Sequence, residues 1–203
     1  MSKDDEQILV VKSDIIFEKG KWQGLKTDNL DYYLELIKNN CEFERREDME
    51  NDASFQQIIP YIVFNFKDKY FVYRYLENAG EKRLVGTYQV GIGGHINPID
   101  GDGEKNILEA GMMREWNEEV DFKGNLLNKK LVGILNDDSR PVEQVHLGLV
   151  YNFTGDSSEI SIKETDKMAG ELVDINKITE HIKGNFGSIW AQIVYNEYLS
   201  KLI

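Results

Sequence analysis

Cysteine, proline and long apolar runs are all scarce in this chain of 203 residues, which has 1 Cys and 3 Pro. The one cysteine, Cys41, excludes a disulfide scaffold and a CxxC metal site. No apolar run approaches the roughly 20 residues that a membrane span needs. The opening MSKDDEQ has neither the basic nor the apolar region of a secretion signal. Lys and Arg number 24 against 36 Asp and Glu, a formal net charge of −12. Without clustered cations, counterion release cannot drive binding to a nucleic-acid polymer or an anionic membrane. These absences predict a cytoplasmic protein that binds neither. What is present is a hydrophobic fraction of 41% with 11% aromatics, which excludes a disordered chain. The length suits one domain, or one domain with a subdomain, and allows a sizeable core.

There is no internal repeat and no low-complexity tract. Gln7 to Phe17 is β-branched and predicts one strand, or two short strands with a break near Ser13. Asp28 is a plausible N-cap for a helix through DYYLELIKNN. The charged stretch CEFERREDMENDAS marks a boundary between an N-terminal extension, residues 1–56, and a main domain, residues 57–203. IIPYIVFNF and KYFVYRYL flank Lys67-Asp68 as a hairpin would. A further strand is expected from Arg83 to Val90, running into the glycines at 91, 93 and 94. A helix from Glu104 to Val120, strands LVGILND and VHLGLVYNF, a short ELVDI and a helix from Ser188 to Leu202 complete the reading. Strands interleaved with a few helices predict an α/β fold whose mixed sheet is covered by helices.

The most informative segment is Arg114-Glu115-Trp116-Asn117-Glu118-Glu119-Val120-Asp121-Phe122. On a helix each residue advances about 100°. With Glu115 at zero, Glu119 lies near +40° and Glu118 near −60°, so the three carboxylates share one face. Gly111, near −40°, leaves that face bare one turn earlier. Met113, Trp116 and Val120 lie elsewhere and are expected in the core. Arg114 is within reach of Glu118 one turn on. Three acids within one turn repel one another unless cations neutralise them. Hard divalent ions do so, and Mg²⁺ favours a few carboxylates, waters and substrate phosphates.

Arg114, Glu115, Trp116, Glu118, Glu119 and Phe122 match the second half of the Nudix box, R-E-hydrophobic-x-E-E-x-G-hydrophobic. Gly93-Gly94-His95-Ile96 resembles the GG-containing strand end that precedes it. With QQIIPYIVFNF, GEKRLVGTYQVGIGGHINP and LNDDSRPVEQVHLGLVY, residues 57–180 resemble the MutT-like phosphoesterase subgroup of the Nudix hydrolase superfamily. The chain departs from the box in two places before the helix. Asn106 stands where the box has Glu, and Asp100 where it has Gly. Asp121 replaces the later glycine, a milder change because Asp tolerates the left-handed conformation.

The resemblance implies a Nudix fold, a mixed β-sheet sandwiched between helices, with an N-terminal α/β extension. It implies a Mg²⁺- or Mn²⁺-dependent hydrolase cleaving a diphosphate linkage in a small molecule such as a nucleoside diphosphate derivative. Glu115, Glu118 and Glu119, with the Gly93 carbonyl, would hold the metal, and Arg114 would orient a ligand carboxylate. Glu118 and Glu119 would also serve the chemistry, and Glu164, in the loop IKETDKMAGELV, is the best positional match for a general base, with Asp166 as rival. Arg74, Arg83 and His95 are candidates to meet the substrate, with structural pairing the competing reading for each. His146 reads as a satisfied core residue, and Asp137-Asp138 as a turn. The alternative is a Nudix-like nucleotide-binding or sensor module with little catalysis, which Asn106 supports. An isoprenoid-diphosphate isomerase on this fold needs a cysteine near the site, and Cys41 lies far from the box. A homodimer is the default oligomer expected.

Overall fold

Apolar runs form strands and amphipathic runs form helices in a computed structural model that describes residues 5–79, 84–101, 106–183 and 187–203. The chain begins with β1 (Gln7–Lys12), α1 (Ser13–Ile16), β2 (Gly24–Lys26), α2 (Leu30–Asn40), β3 (Glu42–Arg45) and α3 (Arg46–Met49). The long strand β4 (Phe55–Phe66) follows, then β5 (Lys69–Tyr75), β6 (Tyr88–Gln89) and β7 (Ile92–Gly93). After α4 (Ile107–Glu119) come β8 (Val120–Phe122), β9 (Leu126–Asn136) and β10 (His146–Gly155). β11 (Ile160–Ile162), β12 (Met168–Asp174), α5 (Ile178–Ile182) and α6 (Ile189–Glu197) are the last of these elements. Among the described residues, ten strands share one large mixed sheet, while β8 and β11 pair as a second, smaller one, in a mixed α/β fold. No described helix is long and apolar enough to cross a membrane.

The chain divides into two compact units, each drawn from three stretches of sequence. The first comprises Met1–Tyr61, Gly93–Glu115 and Gly133–Val150. In it β1 runs antiparallel to both β3 and β4, with Leu9 opposite Phe43 and Val10 opposite Gln57. The run ILVV is buried on both faces, so it reads as a continuous apolar stretch rather than an alternating one. Ile8, Val10 and Met49 pack together with Phe55. The expected strand over Gln7–Phe17 stops at Lys12, and Ser13–Ile16 forms a helical turn instead of a second strand. Ser13 marks the break: its N–H donates to the Ser54 carbonyl and its hydroxyl to the Ala53 carbonyl, each at 2.8 Å. The Ser54 bond is in register with the β1–β4 ladder, whose last pair is Lys12 opposite Phe55, and the helical turn begins where the Ser13 carbonyl accepts from the Phe17 N–H at 2.9 Å. At the next helix Asn29, not Asp28, occupies the N-cap, in the left-handed region at φ 55° that Asn tolerates. Asp28 instead pairs with Lys26 at 3.0 Å.

The second unit comprises Ile62–Ile92, Trp116–Val132 and Tyr151–Ile203. Here β5 is antiparallel to β12 and β6, with Tyr73 opposite Gly170 and Gln89. The hairpin expected at Lys67-Asp68 is present. Lys67 turns at φ 55°, which brings Asn65 opposite Tyr70. An aromatic cluster forms the core, with Phe64 5.0 Å from Phe122 and Trp116 5.3 Å from Phe153, measured between ring centroids. Ser188 caps α6, its Oγ accepting from the Ala191 N–H at 3.1 Å.

Candidate active site

Helix α4 is the platform, and its burial follows its angular pattern. Leu108, Met112 and Trp116 are buried. With Glu115 at zero they fall near +20°, +60° and +100°. Met112 therefore takes the core place expected for Met113, which is half-buried. Glu115 sits on the edge of this stripe and is only 8% exposed, an unusual burial for a carboxylate. Glu118 is exposed and Glu119 half-buried at the helix end.

A charge cluster surrounds Glu115 in the first unit. Arg114 donates from Nη1 to Glu115 Oε1 at 2.7 Å. Its Nε and Nη2 grip the two oxygens of Asp100 at 2.8 and 3.0 Å, the side-on fork typical of Arg with a carboxylate. Nη2 also donates to the His95 carbonyl at 2.7 Å and to Asn97 Oδ1 at 3.0 Å. The Asn97 N–H donates to Asp100 Oδ2 at 2.8 Å. Burial pulls the Arg114 pKa down, but hydrogen bonding to Asp100 and the Coulombic pull of Glu115 outweigh it, so the net direction is up. The guanidinium is a permanent cation between two acids.

Glycines make the space for this arrangement. A Cβ on Gly94 would lie 2.1 Å from Glu115 Oε2, so the carboxylate rests where a side chain would otherwise stand. A Cβ on Gly111 would meet Ile96 at 2.8 Å and Asp100 Oδ2 at 3.0 Å. The bare face read in the sequence at Gly111 is thus filled by Ile96 and Asp100. Gly93 ends β7 with its backbone close against Pro60, whose carbonyl oxygen would be 2.7 Å from an added Cβ.

His95 follows directly on the Gly94 side. Its Nε2 lies 2.7 Å from Oε1 of the fully buried Gln57, and Gln57 donates from Nε2 to the Met49 carbonyl at 3.1 Å. Gln57 therefore presents an acceptor, which assigns the His95 proton to Nε2. His146 lies with its ring 5.8 Å from that of His95 and is half-buried, with Nδ1 against the Val142 carbonyl. Asp137 is fully buried and forms the expected turn, accepting from the Ser139 N–H at 3.0 Å and from its hydroxyl at 2.8 Å.

The remaining candidates belong to the second unit. The Glu119 carbonyl accepts from the Lys163 N–H at 2.9 Å, so the loop carrying Glu164 starts at the end of α4. The Lys163 ammonium adds a bond to the Asn117 carbonyl. Glu164 is exposed and pairs with Lys167 at 2.7 Å. That hydrogen bond and the charges of Glu164, Asp166 and Glu119 push the Lys167 pKa up. Arg74 is exposed on β5, opposite Ala169 and Tyr88. Arg83 lies outside the described residues. The structure thus brings Arg114, Glu115, Gly94 and the His95 backbone together, and separately joins the Glu164 loop to the end of the helix. Sequence reasoning missed Asp100, Asn97 and Gln57 as members of the cluster. Asp100 was visible only as a departure from the box, and no periodicity links a loop acid to a helix arginine.

Among the described residues, no three Asp, Glu, His or Cys side chains converge as a complete metal cage. The three glutamates read in the sequence as ligands are thus not gathered into one preformed cage, and Mg²⁺ is usually held by one or two carboxylates with waters and substrate phosphates. The donor set fits a hard cation: glutamate oxygens on one helix, with the Glu115 carboxylate cradled at Gly94.

No family profile matches the chain. It is 30% identical to Protein YmaB of Bacillus subtilis (strain 168) over 203 residues, which covers 96% of this chain and 98% of that protein. Among solved structures it is similar to Tm1382, a proposed Nudix hydrolase, with a TM-score of 0.81 and 28% identity over 97% of this chain and 100% of the other. It is also similar to the NUDIX domain of Shewanella oneidensis NrtR in complex with ADP ribose. There the TM-score is 0.53 at 10% identity, covering 73% of this chain and 89% of that domain, a likeness of fold alone.

Proposed function

The chain belongs to the Nudix hydrolase superfamily, and from that premise we propose that it is a divalent-metal-dependent hydrolase of a diphosphate linkage in a small molecule. The substrate class is a nucleoside diphosphate derivative. The observation that carries this reading is the buried Glu115, held against Gly94 by Arg114, on the helix that also bears Glu118 and Glu119. These three glutamates and the Gly93 carbonyl would hold Mg²⁺ or Mn²⁺. The cation would supply charge neutralisation for the diphosphate and a more acidic water.

The chain's own residues do the rest. Arg114 would orient Glu115, to which it donates from Nη1 at 2.7 Å. Glu164 is exposed where its loop leaves the end of α4, a suitable place to accept a proton from water. Arg74 and His95 would contact the substrate, Arg74 as a phosphate fork and His95 with its ring set by Gln57. Residues 1–56 would be an N-terminal extension joined to the domain by the pairing of β1 with β4.

Glu118→Gln tests the assignment. It removes one charge at an exposed position, so the fold should stay intact while metal-dependent turnover is lost. Turnover equal to wild type would refute the metal role of the helix. Tight nucleotide binding without cleavage under any metal would favour a sensor, the reading that Asn106 in place of the box glutamate supports.

A further inference from the structure

We infer that Asp100 is a positioning residue for the metal-holding carboxylates: it fixes Arg114, and through Arg114 it fixes Glu115 for a divalent cation. The inference rests on the metal reading above and adds a residue that the box pattern does not contain.

Two departures from the box compensate each other. The chain has lost a carboxylate at Asn106 and gained one six residues earlier at Asp100, both ahead of the same helix. The Asp100 side chain is only 3% exposed, and each of its oxygens meets a different nitrogen of Arg114. Surroundings are shaped to keep it there. The Asn97 N–H donates to Oδ2, and the absent side chain of Gly111 leaves room for the same oxygen. An ordinary surface ion pair has no such framing.

Electrostatics gives the pair its consequence. Arg114 carries one positive charge between two acids, with Nε and Nη2 engaged by Asp100 and Nη1 by Glu115. Neutralising Asp100 would withdraw one of the carboxylates that share the guanidinium. More of its attraction would then fall on Glu115 and compete with a cation for its oxygens. It would also release the Arg114 fork, so that Glu115 would lose its fixed direction. Both effects weaken metal binding without removing any ligand.

The test is a Mn²⁺ titration of the full chain without substrate, read by electron paramagnetic resonance of the free ion. Wild type, Asp100→Asn, Asp100→Glu and Glu118→Gln are compared, with circular dichroism reporting the fold. Folded Asp100→Asn is expected to bind Mn²⁺ about 10- to 100-fold more weakly, the usual range for loss of a partner behind a metal ligand. Asp100→Glu keeps the charge but moves it by one methylene, and should fall between Asp100→Asn and wild type. If Asp100→Asn does not fold, Asp100→Glu decides: weaker binding with a native spectrum supports the inference, and wild-type affinity overturns it. Wild-type affinity in folded Asp100→Asn, with Glu118→Gln weakened, overturns the inference and leaves the metal reading standing. No Mn²⁺ binding by the wild type overturns both.

Discussion

Arg114 is the residue on which the cluster's energetics turn. Its partner Asp100 is almost fully buried, so Arg114→Ala would strand a charge with no compensating cation. Breaking such a pair costs on the order of 3 kcal/mol, the lower end of the buried range because Arg114 is 22% exposed. Urea unfolding should register that loss, and an unchanged midpoint would show that the pair contributes nothing. Gly94→Ala acts differently, because the new Cβ would lie 2.1 Å from Glu115 Oε2 and must push the carboxylate aside. Displacements of about 1 Å cost roughly 100-fold in rate. Turnover of Gly94→Ala should fall by that order while the spectrum of the folded protein is preserved. Cys41 provides a contrast. Burial pushes its thiol pKa up from the ordinary value, so the reactive thiolate is scarce near neutrality. Alkylation in the native protein should be slow at pH 7, accelerate with rising pH and become fast in denaturant. Cys41→Ser should leave turnover unchanged.

At the scale of elements, α4 shows what a pattern can and cannot reveal. The helix and its acidic face were legible because a 3.6-residue period places Glu115, Glu118 and Glu119 in space from their order alone. The partner that holds Arg114 was not, since Asp100 sits in a short 3-10 turn, Pro98–Gly101, outside the helix whose period could have located it. The same contrast explains the first strand. The run ILVV announced a buried strand, but its end comes at Ser13, bonded to Ala53 and Ser54, forty residues away in the chain. The hairpin at Lys67-Asp68 was legible because a two-residue turn is a local event. Gly111→Ala tests the helix as an element. In an open helix the change would stabilise by about 1 kcal/mol. Here the Cβ would meet Ile96 at 2.8 Å, so a net loss of stability and weaker Mn²⁺ binding are expected. A gain in the unfolding midpoint would mean that Ile96 and Asp100 can move aside freely.

Across the whole molecule, the net charge of −12 and the Nudix fold constrain partners more than any single residue does. A chain with 36 acids against 24 bases should not bind duplex DNA even at low salt, where counterion release is strongest. A mobility shift at micromolar protein in low salt would contradict that expectation. The metal-dependent diphosphate hydrolase proposed for the glutamates of α4, with Glu115 held by Arg114, is open to direct test by turnover. The measurement is phosphate and pyrophosphate release from nucleoside triphosphates, nucleotide sugars, dinucleoside polyphosphates, ADP-ribose and NADH, each with Mg²⁺, Mn²⁺ or EDTA. Release is expected from one class, should require the metal, and should stop in EDTA and be lost in Glu118→Gln. Release that persists in EDTA, or that survives Glu118→Gln undiminished, would contradict the proposal.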